Sequence, residues 1–185
     1  MADVATSEYR TSKEATLKNF VAAVLTKVGV DAADAAVVAD VLVAADLRGI
    51  ESHGVARLES YYVSRLRKDL MVPRPDVTTL RETPSSLVLD AGNGLGHPVS
   101  KHAMERVIEK AKTSGSAFAA VRNSNHYGIA GYYAMMALEH DMIGIASTNT
   151  VRYGAPTYGS YMLLGTNPFA YAIPTRNEPA FVLVF

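Results

Sequence analysis

A change of hydrophobic period near residue 73 divides this chain into two parts. Before it, apolar residues such as Leu17, Val21 and Val24 recur every three or four positions, which is typical of amphipathic helices. Pro73 and Pro75 end this part because proline cannot continue a helix. After them, strand-like and helix-like runs alternate. We therefore predict an α/β fold of mixed α+β type, with an N-terminal helical arm followed by a mixed sheet flanked by helices.

The boundaries of the predicted elements follow from caps and periodicity. Thr11 and Glu14 match the spacing of a capping box for the first helix, and Asp31 is expected to cap the second. Further helices are predicted over 56–68, 99–112 and 129–140. Strands are predicted over 77–80, 86–90, 117–121, 142–147, 169–173 and 181–185.

The composition narrows the classes of function. Lys plus Arg and Asp plus Glu both number 18, so no net charge is available to gather nucleic acid or an anionic membrane. No run of about 18 apolar residues occurs, and the N-terminal segment is too polar for a signal peptide. Cysteine is absent, which excludes disulfides and thiolate chemistry. We expect a cytoplasmic protein that binds a small molecule and borrows a cofactor for any redox chemistry.

The C-terminal residues form an apolar, strand-like run over 181–185 with no polar tail after it. Folded proteins usually cover or charge such a strand. We expect the chain to be a fragment; the alternative is a natural chain whose last strand is buried.

A first candidate site lies where the second and third helices meet. His53 and Arg57 are four residues apart, so in a helix their side chains would share one face. Arginine offers a planar fork to a carboxylate, and histidine can exchange the proton of a neighbouring oxygen. Ser52 can orient the imidazole or bond to the substrate. The alternative is a capped helix with a solvated Arg57.

A second candidate site follows the strand over 117–121. His126 lies in the loop after this strand, and ligands usually bind at the carboxyl ends of strands in open sheets. We regard it as a second acid or base candidate. Asn123 and Asn125 can fix its tautomer or contact a cofactor, although loop asparagines also occur simply because they tolerate tight turns.

Two glycine-containing turns and the other histidines are weaker candidates. The glycines at 92, 94 and 96 lack the spacing of a dinucleotide-binding fingerprint, so we predict a turn with a packing role. The alternative is that its backbone amides bind a phosphate. Thr166 and Asn167 are candidate cofactor contacts, with a plain turn as the alternative. His97 and His102 diverge on a helix, so no metal is expected.

Three segments together resemble one family. Residues 46–61 (DLRGIESHGVARLESY), 123–150 (NSNHYGIAGYYAMMALEHDMIGIASTNT) and 164–174 (LGTNPFAYAIP) are similar to the malate/L-lactate dehydrogenase family, which is unrelated to the Rossmann-type malate and lactate enzymes and includes sulfolactate and ureidoglycolate dehydrogenases. The resemblance covers about residues 12–183. It implies a sulfolactate-dehydrogenase-like fold, not a Rossmann fold, and hydride transfer between NAD or NADP and a small 2-hydroxy or 2-oxo acid in a cytoplasmic homodimer.

The resemblance also implies roles for individual residues. His126 matches the proton acceptor of the family and His53 a proposed proton donor, with Ser52 beside it. Arg57, Arg48 and Thr150 match substrate-binding positions. It implies a helical substrate-side region over 1–75 and an incomplete α/β cofactor-binding domain over 76–185, because family members continue beyond the strand at 181–183 with further cofactor contacts. A cyclic-imine or other keto-acid reductase of the family and an inactive truncated fragment are the alternatives.

Overall fold

The computed structural model describes residues 11–185, and its first part is helical. Helices α1 (Glu14–Lys27) and α2 (Ala32–Leu47) pack against each other. A 3₁₀ turn (Glu51–His53), a π-helical segment (Leu58–Val63) and the short helix α3 (Ser64–Arg67) follow. The predicted helical arm is therefore confirmed, with a break between α2 and the π-helical segment.

The core of the arm is formed by apolar side chains of these helices. Val21 and Leu25 of α1 are fully buried against Val38 and Leu42 of α2, and Tyr62 of the π-helical segment completes the cluster. Burying a Val or Leu side chain contributes roughly 1.5–3 kcal/mol. The cluster therefore fixes the position of the π-helical segment relative to α2.

The first sheet has three strands, β1 (Thr78–Thr83), β2 (Ser86–Asp90) and β3 (Phe118–Arg122). β1 pairs antiparallel with β2, and β2 pairs parallel with β3. Helix α4 (Gly96–Ser114) connects β2 to β3 along the chain. Leu87 and Leu89 of β2 bury against Val99 and Ala103 of α4. The carboxyl ends of β2 and β3 therefore lie side by side.

The second sheet is antiparallel and contains β4 (Gly144–Ser147), β5 (Phe169–Ile173) and β6 (Phe181–Val184). Helix α5 (Ala130–Met136) and a 3₁₀ turn (Ala137–His140) cover it. A Cβ on Gly144 would lie 1.9 Å from the Ala134 carbonyl oxygen, so only glycine permits this approach.

The mixed α/β prediction is confirmed, and the structure adds that the strands divide between two sheets. The capping box is wrong: α1 begins at Glu14 with Lys13 at its N-cap, so Thr11 lies before the cap position. The helix predicted over 129–140 ends as a 3₁₀ turn. Within residues 11–185, no helix is both long and apolar enough to cross a bilayer.

Candidate active site

His53 and His126 lie together although they belong to different parts of the chain. Their ring centroids are 5.4 Å apart and the ring planes differ by 29°. His53 ends the 3₁₀ turn after α2, and His126 lies in the loop between β3 and α5. The two predicted sites are therefore one site.

Ser52 and Arg57 join this site through the backbone of the turn. Ser52 Oγ lies 2.9 Å from His53 Nδ1, and Arg57 donates from Nε to the Ser52 carbonyl oxygen at 2.7 Å. His53 and Arg57 do not share one helix, because the turn that carries His53 ends at Gly54 with ψ −156°. Asp46 accepts the backbone N–H of Val55 at 3.0 Å and stabilises this break.

His126 has two neighbours at Nδ1. Tyr62 Oη lies 2.6 Å from it, and the Gly128 backbone N–H donates to it at 3.2 Å. The Tyr61 ring packs 5.5 Å from the same imidazole. Sequence reasoning missed Tyr62 as a site residue because its helical spacing indicated only a core position.

His97 lies behind the site and is completely buried. Its ring packs edge-on against Tyr62 at 5.0 Å and lies 6.4 Å from the His126 ring. Neither of its nitrogens has a hydrogen-bond partner among residues 11–185. His97 therefore forms a wall behind the tyrosine that contacts His126, a role no sequence pattern indicated.

Two glycines allow this close packing. Gly128 has φ +80°, and a Cβ there would lie 2.6 Å from Val41 Cγ1 and 3.2 Å from His97 Cδ2. A Cβ on Gly96 would lie 2.2 Å from the Asn125 carbonyl oxygen. The glycine-containing turn before α4 thus packs against the His126 loop, as predicted for a packing role.

Burial and positive charge keep the histidines neutral. Burial, then His53 and Arg57, lowers the pKa of His126 to about 4. Burial and Arg57 also lower the pKa of His53, and burial followed by His126 lowers that of His97 to about 3. At pH 7 the guanidinium is therefore the positive charge beside two neutral imidazoles.

The loop asparagines anchor the backbone. Asn123 donates from Nδ2 to Asp90 Oδ1 at 3.0 Å. Asn125 Nδ2 lies 3.0 Å from the Gly94 carbonyl oxygen and 3.1 Å from that of Asn93. Tyr62 and the Gly128 backbone, rather than these asparagines, contact the imidazole nitrogen.

Thr150, Thr166 and Asn167 form a second polar cluster between the end of β4 and the start of β5. The Thr166 N–H donates to Thr150 Oγ1 at 2.8 Å, and the Thr150 N–H donates to Asn167 Oδ1 at 2.9 Å. β4 and β5, the strands on either side of this cluster, both pack against α5. Arg48 ends α2 with an exposed side chain.

A cleft of about 800 Å³ lies between α4, β3 and β4. Its lining is largely apolar and includes Val107, Ile108 and Ile145. Tyr127, the residue after His126, also lines it. The loop that carries His126 therefore borders, through Tyr127, an apolar cleft of the size that small ligands occupy. Within residues 11–185, no group of three or more His, Asp or Glu side chains is placed to hold a metal ion.

A family model described as malate/L-lactate dehydrogenase matches residues 12–184. A malate dehydrogenase of Pyrococcus abyssi is 52% identical over 163 residues, which cover 88% of this chain and 45% of that protein. A ureidoglycolate dehydrogenase (NAD(+)) of Escherichia coli O157:H7 is 35% identical over 163 residues, covering 88% and 46%.

The fold also matches a solved structure. The sulfolactate dehydrogenase of Methanocaldococcus jannaschii superposes with a TM-score of 0.89 at 44% identity, covering 94% of this chain and 50% of that one. The sulfolactate-dehydrogenase-like fold prediction is thereby confirmed. The chain spans about half the length of the curated relatives it matches.

Proposed function

The chain belongs to the malate/L-lactate dehydrogenase family, and we propose that the whole protein transfers a hydride between NAD or NADP and a small 2-hydroxy or 2-oxo acid. Malate and lactate-like acids are the substrate class. The proposal concerns the whole protein because the relatives named above are about twice as long as this chain.

One observation carries the proposal: two neutral imidazoles stack on each other, and burial and the same guanidinium, that of Arg57, lower the pKa of both. Arg57 donates from Nε to the Ser52 carbonyl oxygen, so its two terminal nitrogens can bind a carboxylate. A 2-hydroxy acid bound there would place its hydroxyl group near the imidazoles. The pair can then exchange the hydroxyl proton, because an imidazole that is neutral at pH 7 can accept one.

The chemistry divides between the residues and the cofactor. Bound nicotinamide supplies the hydride acceptor or donor. Arg57 holds the carboxylate and sets the orientation of C2, with Arg48 and Thr150 as further proposed substrate contacts. Ser52 orients His53. In the oxidation direction the hydroxyl proton passes to the histidine pair as the C2 hydride departs.

Thr166, Asn167 and Asn125 are the proposed cofactor contacts. Hydroxyl and carboxamide groups suit the amide and ribose hydroxyls of a nicotinamide nucleotide. Thr166 and Asn167 are already ordered by bonds to Thr150, so they would meet a cofactor in a fixed geometry. The polar donor set therefore fits a nicotinamide nucleotide.

The proposal also covers the domain organisation, the oligomeric state and the cellular location of the whole protein. We assign residues 1–75 to a substrate-side region and 76–185 to part of a cofactor-binding domain. Exposed apolar side chains at Tyr153, Tyr161 and Leu163 are compatible with burial in a homodimer. The absence of cysteine is compatible with the cytoplasm.

The test is oxidation of NADH and NADPH by the whole protein with oxaloacetate, pyruvate and sulfopyruvate. The proposal predicts turnover with at least one acid and its loss in His53→Ala and His126→Ala. A cyclic imine acid is included in the same panel. Activity on this imine but on none of the open-chain keto acids would identify a cyclic-imine reductase instead. Absence of turnover with every acid, and of saturable NADH binding by the whole protein in calorimetry, contradicts the proposal. Calorimetry of the 185-residue chain with NADH tests the alternative of an inactive fragment, since saturable binding argues against it.

A further inference from the structure

Both groups that contact His126 Nδ1 are arranged to donate a hydrogen. The Gly128 amide N–H can only donate, and it points at Nδ1 from 3.2 Å. A nitrogen that accepts this bond carries a lone pair. The single proton of a neutral His126 therefore lies on Nε2.

Tyr62 reinforces the same tautomer. Its hydroxyl lies 2.6 Å from Nδ1, and its ring is fully buried. Burial raises the pKa of Tyr62 well above its ordinary value, so the phenol keeps its proton and can donate it. A π-helical turn, a distortion frequent at functional sites, directs both Tyr61 and Tyr62 toward His126.

His53 has a different partner at Nδ1. Ser52 Oγ, 2.9 Å away, is a hydroxyl that can either donate or accept. An imidazolium must donate from both nitrogens. His53 can do so because Ser52 can accept from Nδ1–H, whereas a protonated Nδ1 of His126 would face the Gly128 N–H. His53 can therefore gain and lose a proton, and His126 is held in one form.

The charged and titratable groups around His126 act in the same direction. They are Arg57, His53, His97, Tyr61 and Tyr62. The guanidinium is the positive member of this set, and the set contains no carboxylate. Nothing in this set stabilises an imidazolium at His126.

We propose that Tyr62 and the Gly128 backbone hold His126 as its neutral Nε2–H tautomer, so that His126 donates a hydrogen bond to the substrate oxygen while His53 exchanges the proton. The proposal rests on the proposed function and differs from the proton-acceptor role that the resemblance implies for His126. In oxidation, the O–H proton goes to His53, the C2 hydride goes to nicotinamide, and the C–O bond becomes C=O. A neutral imidazole can polarise such a carbonyl. Tyr62 acts through His126 as a positioning residue.

The tautomer is measured without turnover. Two-bond ¹H–¹⁵N spectra of the ¹⁵N-histidine-labelled protein distinguish a protonated from an unprotonated ring nitrogen, and His126→Gln assigns the signal. We expect an unprotonated Nδ1 and a protonated Nε2 that persist from pH 8 to pH 5.5. A protonated Nδ1 or an imidazolium at pH 7 overturns the proposal whether or not the protein turns over any acid.

Tyr62→Phe tests the positioning role and keeps the ring. We expect kcat to fall about three- to tenfold, as loss of one neutral hydrogen bond predicts, and the Nε2–H signal of His126 to give way to a tautomer mixture. Tyr132→Phe is the matched control, since it removes a 2.6 Å bond to Asp40 outside the site. It should leave both readouts unchanged. An unaltered His126 signal in Tyr62→Phe contradicts the role.

The pH profile of oxidation separates the two histidines. In His126→Gln we expect a lower kcat/KM that still falls on the acid side. In His53→Gln we expect most of the activity to be lost, and the remaining kcat/KM should no longer fall on the acid side. If the acid limb instead persists in His53→Gln and disappears in His126→Gln, the division of roles is overturned. Absence of turnover with every acid overturns the proposed function and the role of His53, while the spectra still decide the tautomer of His126.

Discussion

The Nε of Arg57 donates to the carbonyl oxygen of Ser52 at 2.7 Å. This bond ties the guanidinium to the turn that carries His53. The terminal nitrogens of Arg57 therefore have a fixed direction relative to the imidazole, as a residue that orients a carboxylate beside a proton-transfer group requires.

Arg57→Lys should weaken binding of the acid more than it slows the chemical step. Lysine keeps the charge but loses the Nε bond and the planar fork. We expect KM for the acid to rise roughly ten- to a hundredfold, since bonds to charged groups are worth about 1.5–3 kcal/mol. Steady-state kinetics measure it. Arg67→Lys, at the exposed end of α3, is the control. An unchanged KM in Arg57→Lys contradicts the clamp.

Gly128→Ala should unfold more easily than Gly115→Ala. Both glycines have φ near +80°, so alanine costs roughly 1–2 kcal/mol at either position. A Cβ at Gly128 also meets Val41 and His97, whereas at Gly115 nothing lies within 4 Å. Overpacking adds about 1–3 kcal/mol. Urea denaturation should give a larger loss for Gly128→Ala, and equal losses would refute the packing described for the His126 loop.

Leu42→Ala should destabilise the helical arm, while Leu47→Ala should not. Both leucines belong to α2, but Leu42 is 0% exposed and Leu47 is 65% exposed. A buried leucine truncated to alanine costs about 2–5 kcal/mol, whereas an exposed one costs within roughly 0.5 kcal/mol. Guanidinium denaturation compares the two. Similar midpoints for the two variants would show that the α1–α2 core is not formed as described.

The protein should lose stability as the pH falls below about 6.5. His97 and His126 have folded-state pKa values of about 3 and about 4, lowered mainly by burial. Between these values and 6.5 the unfolded chain binds protons that the folded chain does not. Each such histidine then costs up to about 1.4 kcal/mol per pH unit. Above pH 6.5 this contribution to stability is fully retained.

His97→Leu provides the comparison for the acid effect, because it fills a similar volume without a titratable group. Between pH 6.5 and pH 4, the unfolding free energy of His97→Leu should depend less steeply on pH than that of the unsubstituted protein. Denaturation midpoints measured across this range decide it. An identical slope in both proteins would mean that His97 is not buried in the neutral state.

Local patterns predicted most of the fold because periodicity and proline positions are local signals. α1, α2 and α4 carry apolar residues at helical spacing, and the breaks at Pro73 and Pro75 coincide with the change to sheet. The division of the strands into two sheets could not be predicted from local patterns, because β4 pairs with β5, a strand more than 20 residues away in sequence.

The residues of the candidate site could be identified from the sequence, but their contacts could not. Ser52, His53, Arg57 and His126 were identified as candidates, and the structure brings them together. Tyr62 was missed because its bond to His126 spans 64 residues. A buried tyrosine at helical spacing looks the same in sequence whether it packs or positions a neighbour.

Transfer of deuterium from C2 of a 2-hydroxy acid to the nicotinamide tests the central claim most directly. The whole protein is incubated with NAD(P)⁺ and C2-deuterated malate, lactate or sulfolactate, and the reduced nucleotide is analysed by mass spectrometry. The account predicts one deuterium on the reduced nicotinamide for at least one acid, at a rate strongly reduced in His53→Ala. Recovery of the label in water, or full transfer in a His53→Ala/His126→Ala variant, would contradict it.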